Sequence, residues 1–382
     1  GGDGWSNRRY MTRKTKNAVL CFLISTTLIL SACSNNPDQT VSNRNVVNVY
    51  NWADYIAPET VDQFEAETGI KVNYDIYDSS EVVDVKLLAG SSGYDVVVHS
   101  NQFSSRLAPI GVFEKLDFSR LDNTRHLDPD IIERIEYPAV AEYNVPYHWG
   151  TTGYAWNVEM VRKRLPNHPM NSGDVLFDPN VVSKLADCGV SLLDGPTDLF
   201  PMVLAYLGLD PNSVDDESLA KAEAQIKLVR PYIRYFSNQK MLSDLPNQEV
   251  CVAMSWSGDY ATAAARAKEA GIDIEFRYTA PKEGSGLWVD GLYIPSDAPN
   301  RDNAYTFINF MLRPDIAAAN TNQVNYANAN GSSWKYLSPE ILQNPAIFPD
   351  EAAWEILYPI KPADPKRERP RTRAFARAKA GL

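Results

Sequence analysis

Val46-Val47-Asn48-Val49-Tyr50-Asn51-Trp52-Ala53-Asp54-Tyr55 is the stretch whose reading decides the fold. Its first five residues are β-branched or aromatic at most positions and read as a strand. Pro58-Glu59, just beyond, suits a first helical turn. A strand-to-helix junction is where open α/β sheets place their ligands, and this one carries two rings and a carboxylate within four residues. An aromatic face attracts a cation within about 6 Å, and a carboxylate adds a charge-assisted hydrogen bond. A slender organic cation fits that chemistry. Taken alone, the stretch fits equally well with Trp52 and Tyr55 as core residues and Asp54 as a carboxylate favouring a helix start.

Downstream, Val61, Phe64 and Thr68 keep helical spacing up to Gly69, a C-terminal stop. Ile70 to Tyr77 alternates as a strand, and Asp78 with Glu81 predicts a capping-box start for a helix through Leu88. After Gly90 to Gly93, the run Tyr94-Asp95-Val96-Val97-Val98-His99-Ser100 reads as a buried parallel strand ending in a hydroxyl. This β-α-β-α-β series makes the first lobe α/β. Val145 to Tyr154, mixing aromatics with glycines, is expected to cross to a second lobe, and Leu287 to Ile294 to cross back. Between them lie a helical stripe at Leu219, Ala222, Ile226 and Val229, a helix over Ala261 to Ala270 stopped by Gly271, and an alternating strand at Ile272 to Phe276. Asn300 is predicted to cap a helix that Pro314 ends. The tail from Lys361, with eight basic residues against two acidic, reads as a solvated terminal helix.

At 382 residues and 44% hydrophobic, the chain can bury a large core, and about 150 residues per domain suggests two or three domains. A net charge of −11 disfavours nucleic acid and leaves cationic ligands open. Met11 is followed by Arg13, Lys14 and Lys16, then by the apolar run Ala18 to Leu30 and by Ser31-Ala32-Cys33. That is the pattern of a removable export signal, with 1–10 an upstream extension. Leu30-Ser31-Ala32-Cys33 also resembles the lipobox of bacterial lipoproteins, which are cut before the cysteine and lipidated on it; an ordinary signal peptide is the alternative. Loss of 1–32, with five basic residues and one acidic, leaves 32 basic against 47 acidic residues. The mature protein is thus distinctly acidic, tethered through a polar segment at 33–45.

Two cysteines remain in the folded part. In an exported, oxidising setting Cys188 and Cys251 are expected to pair, a bridge worth about 4 kcal/mol in the chain-entropy model; two buried thiols are the alternative. The four histidines, His99, His126, His148 and His168, have no metal-ligand spacing. No nucleophile elbow, P-loop or dinucleotide fingerprint supports an enzyme or a cofactor. What recurs is an aromatic beside a carboxylate, Trp52 with Asp54, Trp256 with Asp259 and Trp288 with Asp290, each at an expected strand end or crossing.

Four runs then carry a family resemblance: Tyr50-Asn51-Trp52-Ala53-Asp54-Tyr55-Ile56, Ile233-Arg234-Tyr235-Phe236, Cys251-Val252-Ala253-Met254-Ser255-Trp256-Ser257-Gly258-Asp259 and Tyr326-Ala327-Asn328-Ala329-Asn330. Over Val46 to Leu382 the chain resembles the polyamine-binding proteins of bacterial ABC importers, above all the putrescine-binding branch. The resemblance implies a two-lobed type II periplasmic-binding fold with hinge crossings that closes on its ligand. It implies an N-terminal lobe of 46–150 and 288–325 and a C-terminal lobe of 151–287 and 326–382. Carried over by motif, Trp52, Tyr55 and Tyr326 become rings of an aromatic box, with Trp256 stacked on the methylene chain and Trp288 beside it. Asp54 is an acidic neighbour, Ser100 offers a hydroxyl, Asp259 and Asp290 pair with ammonium groups, and Asp198 stands where the family usually has Glu. Cys188 and Cys251 match a cysteine pair of the putrescine branch. Ala53 replaces a usual Ser or Thr, and Trp288 stands where putrescine binders tend to have Phe and spermidine binders Trp. The implied protein is a monomeric periplasmic binder, lipid-anchored at Cys33, that delivers putrescine or spermidine to ABC permease subunits without bond chemistry. A polyamine sensor docking on a membrane signalling receptor shares the same ligand chemistry.

Overall fold

The computed structural model describes residues 45–382. The signal segment, Cys33 and all but the last residue of the tether lie outside these described residues. The strands are β1 (Val46–Trp52), β2 (Lys71–Tyr77), β3 (Val96–Ser100), β4 (Asn144–Asn157), β5 (Val190–Leu192), β6 (Tyr235–Phe236), β7 (Val252–Trp256), β8 (Phe276–Thr279), β9 (Ser285–Tyr293) and β10 (Leu357–Pro359). They run in the order β2-β1-β3-β9-β4-β7-β5-β6, with β10 on β9 and β8 on β4. Both ends of this order are parallel, β2-β1-β3 and β7-β5-β6. The middle is antiparallel, because β4 and β9 run past each other and serve both halves. These are the two expected crossings. β3 is parallel to β1 as expected, but its other neighbour, β9, is antiparallel.

Each half buries both faces of its sheet. Successive strand residues point to opposite sides, so Val47, Val49, Val96 and Val98 pack on one face of the first half, and Tyr50, Val97, Val289 and Tyr293 on the other. In the second half Val252, Met254, Tyr154 and Trp156 face one core, and Ala253 and Ala155 the other. The result is a two-lobed α/β fold with its lobes joined through the central strands. Ala327, Ala329, Ile341 and Ile347, from the stretch expected in the C-terminal lobe, pack with Tyr50 and Val97. Ala374, Phe375 and Ala378 of the same stretch join the core of the other lobe.

Several local expectations shift. The cap of the Ser80–Leu88 helix is Ser79 rather than Asp78, its hydroxyl accepting from the Val82 N–H at 3.3 Å. No strand forms at Ile272 to Glu275. Phe276 pairs with Asn157, where β4 ends, so the residues before it have no partner strand on β4. Asn300 precedes the Arg301–Met311 helix but does not cap it with its side chain; its backbone and side-chain amides donate to Asp95 instead, at 2.6 and 3.0 Å. Pro314 opens a further helix, Pro314–Val324, in the first turn, where its missing N–H costs nothing. The Pro365–Ala380 helix is not fully solvated, since Arg371, Ala374, Phe375 and Ala378 are buried. Cys188 and Cys251 are joined by a disulfide, with their Cα atoms 5.4 Å apart and a sequence separation of 63. The alternative of two free thiols is thereby removed.

Candidate functional site

Strand ends and helix starts from both lobes enclose a cavity of about 770 Å³, open mouth included. Trp52, Ser100 and Trp256 are the last residues of β1, β3 and β7. Asp198 and Asp259 lie in the first turns of the Pro196–Tyr206 and Ser257–Glu269 helices, where the helix dipole favours a negative charge. All ten residues singled out for ligand contact (Trp52, Asp54, Tyr55, Ser100, Asp198, Trp256, Asp259, Trp288, Asp290 and Tyr326) line this one cavity.

Beyond β1 the chain turns sharply, with Asp54 in a left-handed conformation at φ 52°. The Ala53 N–H donates to the Tyr77 carbonyl at 2.8 Å, which fixes the turn to β2. Tyr55 is thereby carried inward. Its ring meets Tyr147, His148 and Tyr326 edge-on at 4.9–5.5 Å between centroids, and its hydroxyl donates to Asp290 Oδ2 at 2.7 Å. Ser100 Oγ donates to Asp290 Oδ1 at 2.8 Å. This second bond follows from register, because Ser100 and Asp290 are directly opposite in the β3–β9 pair. Burial pushes the Asp290 carboxyl up to about 6, although both hydroxyls and His99 pull it down.

The opposite wall is less well supplied with donors. The Trp256 indole N–H donates to Asp198 Oδ1 at 3.1 Å. Enclosure by protein pushes Asp198 up to about 7, Glu81 and Asp290 adding to the rise while Trp256 and Arg371 oppose it. Asp259 is also pushed up to about 7 by enclosure, with Asp54 adding to it and the Tyr326 hydroxyl and Arg266 opposing. Both carboxylates keep some exposure through the cavity mouth.

Two glycines make room for the rings. A Cβ on Gly258 would sit 2.5–2.6 Å from three atoms of the Tyr326 ring, and one on Gly150 would sit 2.6 Å from Trp288. Tyr326 and Trp288 then meet at 5.3 Å, and Trp52 meets Trp256 across the lobes at 6.1 Å.

The cavity also takes residues that the sequence did not single out, among them Glu81, Gln102, Phe103, Asp194, Asn238 and Gln239. Glu81 was visible only as part of a helix-start signal, and Asp194 only inside the Leu193-Asp194-Gly195-Pro196-Thr197-Asp198 run. Gln102 and Phe103 follow Ser100 on the short Asn101–Leu107 helix, whose existence was not expected. Asn238 and Gln239 lie in a loop after β6 and carried no signal.

Residues 59–349 match the family described as bacterial extracellular solute-binding proteins. The putrescine-binding periplasmic protein PotF of Escherichia coli K12 is 43% identical over 344 residues, 89% of this chain and 93% of that protein. The putrescine-binding periplasmic protein SpuD of Pseudomonas aeruginosa UCBPP-PA14 is 42% identical over 90% of this chain and 94% of its own. Among solved structures, the substrate-binding protein PotD of the spermidine/putrescine ABC transporter from Streptococcus pneumoniae superposes with a TM-score of 0.73 at 27% identity, covering 88% of this chain and 99% of that one. With its fold, its interlobe cavity and these likenesses in agreement, the chain belongs to the bacterial extracellular solute-binding proteins.

Proposed function

We propose that the protein captures polyamines in its interlobe cleft, putrescine first and spermidine as the longer alternative, and delivers them to the permease of an ABC importer. The observation that carries this reading is the lining itself, which among the described residues holds six carboxylates and six aromatic rings and no Lys, Arg or His. A diamine presents two ammonium groups near neutral pH, and each needs acceptors once dehydrated. Asp290 with Ser100 and Asp198 serves one end, and Asp259 with Asp54 serves the other. Trp52, Tyr55, Trp256, Trp288 and Tyr326 cover the chain between, where each buried methylene contributes about 0.8 kcal/mol. Carboxylate spacing selects length, and the rings exclude branched or bulky ligands. The likeness to PotF and SpuD, both putrescine-binding periplasmic proteins, supports the same ligand class.

In this reading the protein works outside the cytoplasm as a monomer, anchored by a lipid on Cys33, and performs no bond chemistry. Its lobes follow the boundaries expected from sequence, except that 326–357 goes with the N-terminal lobe, a change supported by the packing of Tyr326, Ala327, Ala329, Ile341 and Ile347. Mass spectrometry of the mature N-terminus tests the anchor. Isothermal titration of refolded, ligand-stripped protein with putrescine, cadaverine, spermidine and amino acids tests the function. Micromolar or tighter binding of a polyamine is expected; its absence, or preference for an amino acid, defeats the reading.

A further inference from the structure

The carboxy-terminal helix, Pro365–Ala380, is built into the C-terminal lobe. Ala374, Phe375 and Ala378 are core residues there. Arg377 grips both oxygens of Glu223 at 2.7 and 2.8 Å, and Lys379 Nζ pairs with Asp194 at 2.7 Å. The first half of the same helix faces the other lobe. Arg106, on the Asn101–Leu107 helix of the N-terminal lobe, places Nη1 3.4 Å from Glu368 Oε1 and Nη2 3.0 Å from Asp84 Oδ2. Glu368 in turn accepts from Arg371 Nη2 at 2.9 and 3.0 Å. Among the described residues, Arg106 to Glu368 is the one ion pair that joins the two lobes.

Its position couples it to the cavity. The Arg106 guanidinium lies 5.2 Å over the ring of Phe103, which lines the cavity. His99, adjoining Ser100, packs on Phe103 at 5.7 Å and bonds Asp84 at 2.8 Å. On the other lobe, Arg371 is near enough to Asp198 to hold its carboxyl down. The ion pair therefore sits beside the ligand space without entering it.

We propose that Arg106 and Glu368 form a clasp that fastens the lobes over a bound ligand and so sets how long the ligand stays. The proposal rests on the capture of a ligand between closing lobes argued above. The arrangement suits a reversible fastening because each charge has a second partner in its own lobe, Asp84 for Arg106 and Arg371 for Glu368. Opening breaks one contact and leaves neither charge orphaned, which would otherwise be expensive for partly buried groups. Arg106 and Glu368 retain only 21% and 23% of their side-chain exposure, so their attraction is less screened than that of a surface pair. The clasp is thus strong enough to slow release and weak enough for a docking partner to undo.

A double-mutant cycle tests this on the full mature chain. Arg106→Gln and Glu368→Gln are each expected to release putrescine about three- to tenfold faster in stopped flow, with association little changed. The double variant is expected to release it no faster than either single variant. Additive effects, or unchanged release, overturn the clasp even if each variant folds less stably. Spin labels at the exposed Val85 and Leu228 give a second readout in ligand-free protein. Glu368→Gln is expected to lengthen or broaden the interlobe distance, and an unaltered distribution counts against the clasp. Failure of the parent to bind any polyamine would sink the proposed function, while the distance measurement would still decide the clasp.

Discussion

The N-terminal wall of the cavity holds its carboxylate Asp290 with two hydroxyls, whereas on the C-terminal wall Asp198 accepts one indole N–H and Asp259 has the influence of the Tyr326 hydroxyl and Arg266 to hold it down. The first wall is set by strand register, with Ser100 directly opposite Asp290. The second sits on helix starts and holds two acids that burial pushes up to about 7, with Arg371 and Arg266 only partly opposing the rise. One wall supplies shape and the other supplies unmet charge, and a diammonium ligand satisfies both.

The harshest way to break this contrast is Asp290→Asn. It leaves the hydroxyls of Tyr55 and Ser100 without their anion and one ammonium with Asp198 as its remaining carboxylate. Putrescine affinity is expected to fall at least about 30-fold by titration calorimetry, since truncating one partner of a buried charge pair costs about 2–5 kcal/mol. Gly258→Ala probes the other wall without altering charge. The added methyl must displace Tyr326, at an overpacking cost of about 1–3 kcal/mol. About tenfold weaker binding is expected, with the far-ultraviolet circular dichroism of the parent.

Changing pH sharpens the comparison further. Asp198 and Asp259 titrate at about 7, so they are mostly protonated at pH 5.5 and ionised by pH 8. Polyamine affinity is expected to rise several-fold over that range, with proton release seen as a dependence of binding heat on buffer ionisation enthalpy. Because both groups are raised above their unfolded values, they stabilise the ligand-free fold most below about pH 4, and that contribution is lost as pH rises through 7. The melting temperature gained on adding ligand should therefore grow towards pH 8, and Asp259→Asn should flatten the trend. The smallest effect is expected from Trp288→Phe, a change of about threefold in the ratio of putrescine to spermidine affinity. An unaltered ratio would remove the reason for keeping spermidine in view.

Sequence exposed the parts of the molecule that depend on local pattern. Val46 to Tyr50 is β-branched or aromatic at most positions because both faces of its sheet are packed, and Leu219, Ala222, Ile226 and Val229 fall on one buried face of the Asp216–Val229 helix. The rings and carboxylates of the cavity were recognisable because they fall within short motifs at strand ends, helix starts and crossings. What escaped was set by distant partners. The alternation at Ile272 to Phe276 could not reveal that β4 ends at Asn157. Glu81 hid inside a capping signal, and Gln102 and Phe103 sit on a single helical turn pair too short to show a period. The tail from Lys361 looked solvated because charge count does not report that Glu223, Asp194 and Glu368 lie opposite or between its cations.

The placement of β9 has a consequence for the order in which the molecule assembles. β9 separates β3 from β4 in the sheet, yet it is made only at residues 285–293, after the strands β5 to β8 of the other lobe. Tyr55 and Asp290 meet across 235 residues of chain, and Ser100 and Asp290 across 190. Closing such long loops is slow, whereas β5 and β7 and the helices around them come from one continuous stretch. As the chain emerges, the C-terminal lobe has its sheet in hand while the N-terminal lobe waits with β3 as an open edge, a site for wrong pairing until β9 arrives. The cavity is therefore among the last features to form, and no ligand can guide the steps before it.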